Sequence, residues 1–320
     1  MALKEPFMVK SDFSLGADES LELEAKTGES LLVKDVLIIG ANDEYAILEI
    51  DKTTVGFFRV DGHPLGSHLS CNITKANASV SYMGFKAERS ITLLSYMIRQ
   101  GWMSGYPVAE GQTFRVKPYT TGKKLNRVAI IYEKYDAGDI KSTDVNGSES
   151  KEYLFVNYGR CSSDLEEAGD YEVNQTITTE EFPDFPFGKS VPSKTTVEVL
   201  AILGSEAIKY TDSNTYTYTK YLKMFKGRTC LFDVDKQGLP MYQYVFSGIS
   251  AGEHYARGFS VIGNYTTRDR REPFVLPQPL VFNEGDEVNV YISTGQGTNA
   301  DTLSAKTVEI AFIERVKVAE

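Results

Sequence analysis

Histidine and cysteine, the residues most often found in catalytic and metal sites, are rare in this chain and widely spaced. There are three histidines among 320 residues. His63 and His68 lie across a proline and a glycine, so one helix face cannot present both as metal ligands. His254 directly follows Glu253, and only a surface contact between these two side chains is expected. No Ser-His-Asp or Cys-His set can be assembled, so the sequence predicts no catalytic residue.

The three cysteines also argue against metal binding. Cys71, Cys161 and Cys230 lie far apart and form no CxxC pair, which speaks against both a disulfide framework and a structural zinc site. Cys230 stands inside an apolar strand pattern and is interpreted as a small core residue.

Two segments resemble known ligand loops but lack an essential residue. Asp233–Gly238 begins like a calcium loop, but its twelfth position is Tyr244, where a bidentate glutamate is required. Gly188–Ser190 ends like a phosphate-binding loop, but Pro183 replaces the required first glycine. The sequence therefore predicts no cofactor site and no metal site.

Charge excludes another class of function. The formal net charge is −10, and no run of five or more basic residues occurs, so a general nucleic-acid binder is not expected. The densest basic cluster, Thr266–Glu272, includes acidic residues and is interpreted as a solvated loop. The first residues lack an apolar segment, and no apolar run of membrane-spanning length follows, so we expect a soluble chain without a signal peptide.

The composition and the patterning favour β-strands. Tyrosine (19) and phenylalanine (17) are abundant, and such residues fit pleated, half-buried surfaces. One helix is expected at Glu88–Arg99, where Ile91, Leu94 and Ile98 share a face. Strands are predicted by alternation or by short apolar runs. They are expected at 21–25, 31–40, 45–52, 55–60, 112–117, 127–135, 153–156, 195–204, 229–236, 288–292 and 308–312.

The two halves of the chain carry the same landmarks in the same order, which predicts one β fold used twice. Differences in spacing between the landmarks are assigned to loops. The segment Asp212–Lys226 has little counterpart in the first half and is interpreted as an extended surface loop or hairpin. The matched landmarks are Leu31–Gly40 with Thr195–Gly204 (Val33 matching Val197), Tyr45–Lys52 with Thr229–Lys236, Glu110–Gly111 with Glu284–Gly285, and Val128, Ile130 and Tyr132 with Val308, Ile310 and Phe312.

The predicted domains are residues 1–145 and 146–320. Between the strand patterns of the two halves, Asp136–Ser150 is rich in Asp, Gly, Ser, Lys and Asn and is interpreted as a linker. The spaced prolines of Phe182–Gly188 favour an extended strap at the start of the second domain.

The repeated strand blocks, at 31–60 with 107–135 and at 195–204 with 228–246 and 279–318, resemble those of double jelly-roll major capsid proteins of tailless icosahedral viruses, the lineage of adenovirus hexon. The resemblance implies an all-β fold: two tandem eight-stranded antiparallel jelly-roll sandwiches, with one or two short helices in loops. It implies a structural virion protein rather than an enzyme, with no cofactor. The subunit would be synthesised in the host cytoplasm and form pseudo-hexameric homotrimers that tile a shell. Neighbouring trimers, vertex or minor capsid proteins and an internal membrane are the partners that it implies, without sequence-specific nucleic-acid binding.

Two alternative functions remain open. A tandem β-sandwich module that binds carbohydrate or a receptor would use aromatic platforms, for which Thr215–Tyr218, Tyr242 and Tyr244 are candidates. A glycan-active β-sandwich enzyme would need a carboxylate pair, which could lie among the 44 Asp and Glu residues. Glycosylation is a further hypothesis for the five N-x-Ser/Thr sequons, at Asn72, Asn77, Asn146, Asn174 and Asn264.

Overall fold

The structure is a computed structural model. It describes residues 3–12, 15–41, 45–60, 92–140, 150–161, 169–173, 190–204, 208–212, 215–232, 238–240, 244–245, 256–257, 273–298 and 308–319. These residues form antiparallel sheets and one helix, so the all-β prediction is confirmed. The chain divides into two compact units, residues 1–155 and 156–319. The predicted boundary at residue 145 and the strap at 182–188 lie outside the described ranges.

The described residues of the first unit form eight strands in two four-stranded sheets. The strand order is β1-β8-β3-β6 in one sheet, sheet A, and β2-β7-β4-β5 in the other, sheet B. The strands are β1 (Leu3–Asp12), β2 (Leu21–Glu24), β3 (Glu29–Ala41), β4 (Tyr45–Ile50), β5 (Thr53–Arg59), β6 (Tyr106–Val108), β7 (Thr113–Pro118) and β8 (Leu125–Asp136).

One helix, α1 (Leu93–Arg99), packs on β3 in the first unit. Thr92 caps its start, because the Thr92 hydroxyl accepts the Ser95 N–H at 3.1 Å and also donates to the Asp35 carboxylate. The helix was predicted from Glu88; residues 88–91 lie outside the described ranges. On the predicted apolar face, Leu94 is buried and Ile98 is half-buried; the other buried residues of the helix are Leu93, Tyr96 and Met97.

The described part of the second unit also contains two large sheets. Their strand orders are β18-β11-β20-β9 in sheet C and β10-β19-β13-β12 in sheet D, where β14 and β15 also pair with β13. The division between the units falls within β9. A two-stranded sheet, β16-β17, follows β15 in the chain. The strands are β9 (Ser150–Cys161), β10 (Asp170–Glu172), β11 (Thr195–Gly204), β12 (Ile208–Asp212), β13 (Thr215–Lys226), β14 (Thr229–Cys230), β15 (Leu239–Pro240), β16 (Tyr244–Val245), β17 (Ala256–Arg257), β18 (Phe274–Phe282), β19 (Val288–Thr298) and β20 (Val308–Ala319).

The strands pair in the same nested order in both units. In the first unit the first strand pairs with the eighth, the second with the seventh, the third with the sixth and the fourth with the fifth. The eighth strand then pairs with the third, and the seventh with the fourth. In the second unit the strands β9, β10, β11, β13, β15, β18, β19 and β20 repeat every one of these pairings. The strand β12 is an addition beside β13, whereas β14 corresponds to the start of β5, because Thr229 pairs with Lys226 as Thr53 pairs with Ile50.

The two sheets of the first unit pack face to face around an apolar core. Val36 and Ile38 of β3 and Ile130 of β8 are fully buried on sheet A, and Phe114 and Val116 of β7 are fully buried on sheet B. The rings of Tyr106 in sheet A and Phe114 in sheet B lie 5.9 Å apart between centroids. This arrangement is sandwich-like, and burial of about 150–250 Å² per aromatic ring makes such contacts a main source of its stability.

The second unit has an equivalent core. Val197, Val199 and Phe282 are buried on sheet C, and Leu222 and Ile292 are buried on sheet D. The sheets also meet through β13 and β18, because Lys226 Nζ lies 5.7 Å from the Phe282 ring centroid and donates to the Val281 carbonyl at 3.0 Å. Burial of the apolar side chains in this core stabilises the unit by about 1.5–3 kcal/mol for each side chain.

Sequence patterning finds most of the strands that bury a face and misses several strands at sheet edges. The predicted strand 195–204 is confirmed as β11, and the predictions at 31–40, 45–52, 112–117 and 127–135 agree with β3, β4, β7 and β8 within two residues. The predictions at 288–292 and 308–312 cover only the first parts of β19 and β20. No strand was predicted at β1, because none of its residues is buried and no alternation results. No strand was predicted at β18 either, where Pro277 and Pro279 interrupt the pattern. Proline is tolerated there because β18 is an edge strand.

The same hydrogen bonds fix the turn that precedes the third strand of each unit. Gly28 N–H donates to Glu110 Oε1 at 2.7 Å, and Lys194 N–H donates to Glu284 Oε2 at 2.7 Å. Both donor residues have the left-handed backbone conformation, with φ of 84° and 59°. The glutamates were predicted to be equivalent, and these contacts confirm that they are.

The turn between the sixth and seventh strands is also repeated. Gly111 N–H donates to the Ala25 carbonyl at 2.8 Å, and Gly285 N–H donates to the Val191 carbonyl at 3.0 Å. The two glycines have φ of 83° and 78°, a conformation that residues with a Cβ rarely adopt. The chain thus contains one β fold twice.

The predicted register of the repeat was wrong by two residues. The third strand of each unit has one bulged residue, which is Lys34 in β3 and Leu200 in β11. Lys34 follows Gly28 at the same distance as Leu200 follows Lys194. Val33 therefore matches Val199, and not Val197. The same shift applies in the eighth strand, where Tyr132 matches Glu314. Because side chains alternate with a period of two, a shift by two residues preserves the apolar pattern and cannot be detected from it.

The fourth strand of the second unit was also assigned wrongly. The counterpart of β4 is β13 rather than 229–236, of which only 229–232 are described and form the short β14 and a bend. The segment Asp212–Lys226, interpreted as a surface loop or hairpin, pairs with β12 as a hairpin but supplies a central strand of sheet D. Its alternating Thr and Tyr residues suit either an exposed hairpin or a sheet, so the pattern did not distinguish the two.

Substitution of alanine for either turn glycine should destabilise its unit. No heavy atom lies within 4 Å of the position a Cβ would take at Gly111 or Gly285, so the cost is that of the left-handed backbone alone, about 1–2 kcal/mol. We expect Gly111→Ala and Gly285→Ala each to lower the midpoint of urea unfolding. Gly169→Ala is the control, because Gly169 lies outside the left-handed region. A loss at only one of the two turns would contradict their equivalence.

Candidate functional site

The residues considered for catalysis or metal binding lie mostly outside the described parts of the chain. These include all three histidines, Cys71, Asp233–Lys236 and the five sequon asparagines. Cys230, interpreted from the sequence as a core residue, is only partly buried. Within the described ranges, no group of three or more His, Cys, Asp or Glu residues could hold a metal ion. Among the same residues, no helix has the length and apolar character needed to cross a membrane.

A shallow cavity of about 270 Å³ lies on the outer face of sheet D. The side chains of Leu222, Met224 and Ile292 are buried on the core face of this sheet. Residues at alternate positions on the same strands therefore point away from the core. The cavity is lined by Asp170 of β10, Lys223 and Phe225 of β13, Gly227, and Asn289 and Tyr291 of β19.

Two aromatic rings and one ion pair form the walls of this cavity. The rings of Phe225 and Tyr291 are 5.8 Å apart between centroids and perpendicular, with an interplanar angle of 89°. Lys223 Nζ lies 2.6 Å from Asp170 Oδ2. Among the described residues, the side-chain amide of Asn289 has no hydrogen-bond partner. The cavity therefore offers apolar ring surface, a charged pair and a free amide side by side.

The first unit has different chemistry at the equivalent positions of sheet B. Glu49 lies 2.5 Å from Lys117 Nζ and 3.5 Å from Arg115 Nη1. Arg115 also contacts Glu22 at 2.7 Å. These long side chains join β2, β4 and β7 across the face of the sheet. Their contribution is structural, since each ion pair holds neighbouring strands together.

A carboxyl group is buried in the core of the second unit. Glu314 is paired with Val199 in the sheet, so its side chain lies on the core face with Val197 and Val316, and it is fully buried. Asn157 Nδ2 donates to Glu314 Oε1 at 3.0 Å. Burial raises the pKa of Glu314 well above its ordinary value, and the hydrogen bond from Asn157 only partly opposes this.

The hydrogen bonding of this pair favours the protonated acid. Among the described residues, Glu314 Oε2 and Asn157 Oδ1 are both buried without a partner. Two acceptor oxygens cannot bond to each other, but a proton on Oε2 turns Glu314 into a donor that complements the amide oxygen. The pair therefore forms a neutral acid–amide contact.

Among the described residues of the first unit, the exposed large apolar side chains lie on β1. Leu3, Phe7 and Val9 are each about half exposed or more, with Phe7 at 65 %. The strand β1 stands at the end of sheet A, so one of its backbone edges has no partner strand within the described structure. Open edges with apolar side chains are sites at which sheets associate with other chains.

The candidate aromatic platforms named from sequence are only partly described. Tyr216 and Tyr218 lie within β13, paired with β12 and β19, rather than in a loop. Tyr244 lies in β16, and Tyr242 is outside the described residues. Sequence reasoning did not single out Phe225 and Tyr291, although the alternation of Tyr221, Lys223 and Phe225 against Leu222 and Met224 marks an outward face.

Comparison with known proteins does not extend these observations: no protein-family model and no curated protein matches the sequence.

Replacement of the buried acid should change how stability depends on pH. The folded protein holds the Glu314 proton more tightly than the unfolded chain does, because the pKa of Glu314 is raised by folding. The contribution of this group to the free energy of unfolding therefore decreases as the pH rises above about 4.3, the ordinary glutamate pKa. In Glu314→Gln the amide can donate to Asn157 Oδ1 at every pH. We expect the variant to become progressively more stable than the wild type as pH rises, measured by urea unfolding.

A matched control is Glu198→Gln on the same sheet. Partial burial opposes the charge of Glu198, but Lys317 and Arg315, at 2.5 and 3.1 Å, outweigh burial and hold its pKa below the ordinary value. The charged Glu198 therefore stabilises the folded protein above the pKa that this group has in the unfolded chain, and the stabilisation is lost as the pH falls. The Glu198→Gln variant should therefore lose stability relative to the wild type as pH rises. A pH-independent effect of Glu314→Gln would contradict a buried, protonated acid.

Proposed function

We propose that this protein is the major subunit of an icosahedral capsid, built as a double jelly roll. The nested strand order that both units share is the observation that supports this proposal. In a jelly roll, an eight-stranded antiparallel hairpin folds over into two facing sheets. That folding pairs the first strand with the eighth, the second with the seventh and so on, as in each unit here.

Duplication within one chain supports the capsid role more strongly than the fold of either unit. A single jelly roll occurs in lectins and enzymes as well as in capsids, so the fold of one unit does not indicate a function. Two such units in one chain give six similar blocks per trimer, which fill a nearly hexagonal tile. A shell of such tiles needs extensive self-contacts and no catalytic cleft.

The first strand supplies a surface for such self-contacts. Phe7 and Val9 are exposed on the open edge strand β1, beside Ile131 of the neighbouring strand. Burial of apolar surface on association is favourable by about 25 cal/mol per Å². An exposed edge that carries aromatic and aliphatic side chains is therefore suited to contact with a further copy of the chain.

The other roles that we propose follow from assembly into a shell. The subunit is located in the virion after synthesis in the host cytoplasm. Its partners are neighbouring trimers, vertex or minor capsid proteins and an internal membrane. No sequence-specific contact with nucleic acid is included, because the net charge of −10 opposes binding to phosphate.

The oligomeric state tests this function. The purified chain of 35.6 kDa should scatter light with a mass of three subunits and form ordered arrays visible by electron microscopy at high concentration. The trimer is expected because pseudo-hexagonal tiling requires three two-unit chains. A stable monomer that forms no array at any concentration would contradict the capsid proposal.

A further inference from the structure

We propose that the cavity on the outer face of sheet D binds a neutral pyranose sugar. This proposal does not depend on the capsid role, because it rests on the side chains of one unit only. It assigns Phe225 and Tyr291 to contact with the apolar face of the sugar ring, and it assigns Asn289, Lys223 and Asp170 to its hydroxyl groups.

The internal repeat provides a reference for this face. Asp51 N–H donates to the Thr113 carbonyl at 2.8 Å, and Gly227 N–H donates to the Glu287 carbonyl at 2.9 Å, with φ of 54° and 56°. These matching contacts align the fourth and seventh strands of the two units. The aligned pairs are Ile47 with Lys223, Glu49 with Phe225, Asp51 with Gly227, Arg115 with Asn289, and Lys117 with Tyr291.

The alignment identifies which side chains differ between the outer face of sheet D and the equivalent face of sheet B. Glu49, Arg115 and Lys117, which hold each other by ion pairs in the first unit, are matched by an aromatic ring, a short amide and a second aromatic ring. Loss of the arginine opens space beside the rings. Gly227 leaves the end of the cavity open as well, since nothing lies within 4 Å of the position of a Cβ.

The resulting chemistry matches a sugar better than other small ligands. A pyranose has an apolar face of C–H groups, which packs on aromatic rings, and a rim of hydroxyls, which need both donors and acceptors. The amide of Asn289 provides one of each. Lys223 and Asp170 neutralise each other, so the cavity has no excess charge to attract an anion or a cation.

The size of the cavity limits the ligand. Pockets for small molecules usually enclose about 300–1,000 Å³, and this cavity of about 270 Å³ is slightly smaller than that range. It accommodates one monosaccharide unit, either alone or as the terminal residue of a longer glycan that extends into solvent. Affinity for a single free sugar should therefore be weak, with a Kd in the millimolar range, where binding free energy is about −4 kcal/mol.

Saturation-transfer difference NMR tests the proposal with the full chain. The probes are the methyl pyranosides of glucose, galactose and mannose together with N-acetylglucosamine, each at millimolar concentration. At least one should receive magnetisation at its ring C–H protons, because those protons face Phe225 and Tyr291. Phe225→Ala and Tyr291→Ala should each weaken the signal at least about tenfold, which corresponds to about 1.4 kcal/mol.

Two further variants separate binding from folding. Asn289→Arg introduces the residue that the first unit has at the equivalent position, where the side chain points away from the core. The long arginine side chain should fill the cavity and abolish the saturation-transfer signal. The midpoint of urea unfolding should remain near that of the wild type. Phe7→Ala removes an exposed ring on β1 and should leave the signal unchanged. Absence of transfer to all four sugars from the folded wild type, or an unchanged signal in Asn289→Arg, would overturn the proposal. Sugar binding by a monomer would overturn the capsid role alone.

Discussion

Each unit of this protein depends on the antiparallel pairing of its third and eighth strands. Both strands lie in the interior of their sheet, and the pairing joins residues that are distant in the chain. At one end of this strand pair, an equivalent backbone hydrogen bond is present in both units. Ala137 N–H donates to the Gly28 carbonyl in the first unit, and Ala319 N–H donates to the Lys194 carbonyl in the second. Within the same sheet, the first strand of the unit pairs with the eighth strand and the sixth pairs with the third.

This pairing also explains the repeated glutamates. The turn before the third strand must direct the chain back along the eighth, and its left-handed residue leaves an N–H that needs an acceptor. Glu110 and Glu284 supply that acceptor from the turn between the sixth and seventh strands. The contact links two turns of each unit and fixes where both strands begin.

The backbone arrangement that the two units share carries different side chains in each unit. In the first unit, charged side chains such as Glu49 and Arg115 connect neighbouring strands on the outer face of sheet B. At the same positions of the second unit, Phe225 and Asn289 leave a cavity. In the eighth strand, the half-buried Tyr132 of the first unit is matched by the fully buried Glu314, which requires Asn157 and a proton to be accommodated. Backbone hydrogen bonds are independent of side-chain type, so the shared arrangement tolerates all these changes.

The amino-acid sequence alone determined the all-β class, the internal repeat and most central strands, because a buried face imposes alternation on the residues of a strand. It determined the equivalence of Gly111 and Gly285, since few residues besides glycine adopt a left-handed turn. Only the tertiary structure decided the register of the repeat, the role of β13 as a central strand and the existence of the edge strand β1. Alternation is unchanged by a shift of two residues, and an exposed edge leaves no alternation to detect. The cavity at Phe225 and Tyr291 likewise depends on three strands that the chain brings together only when it folds.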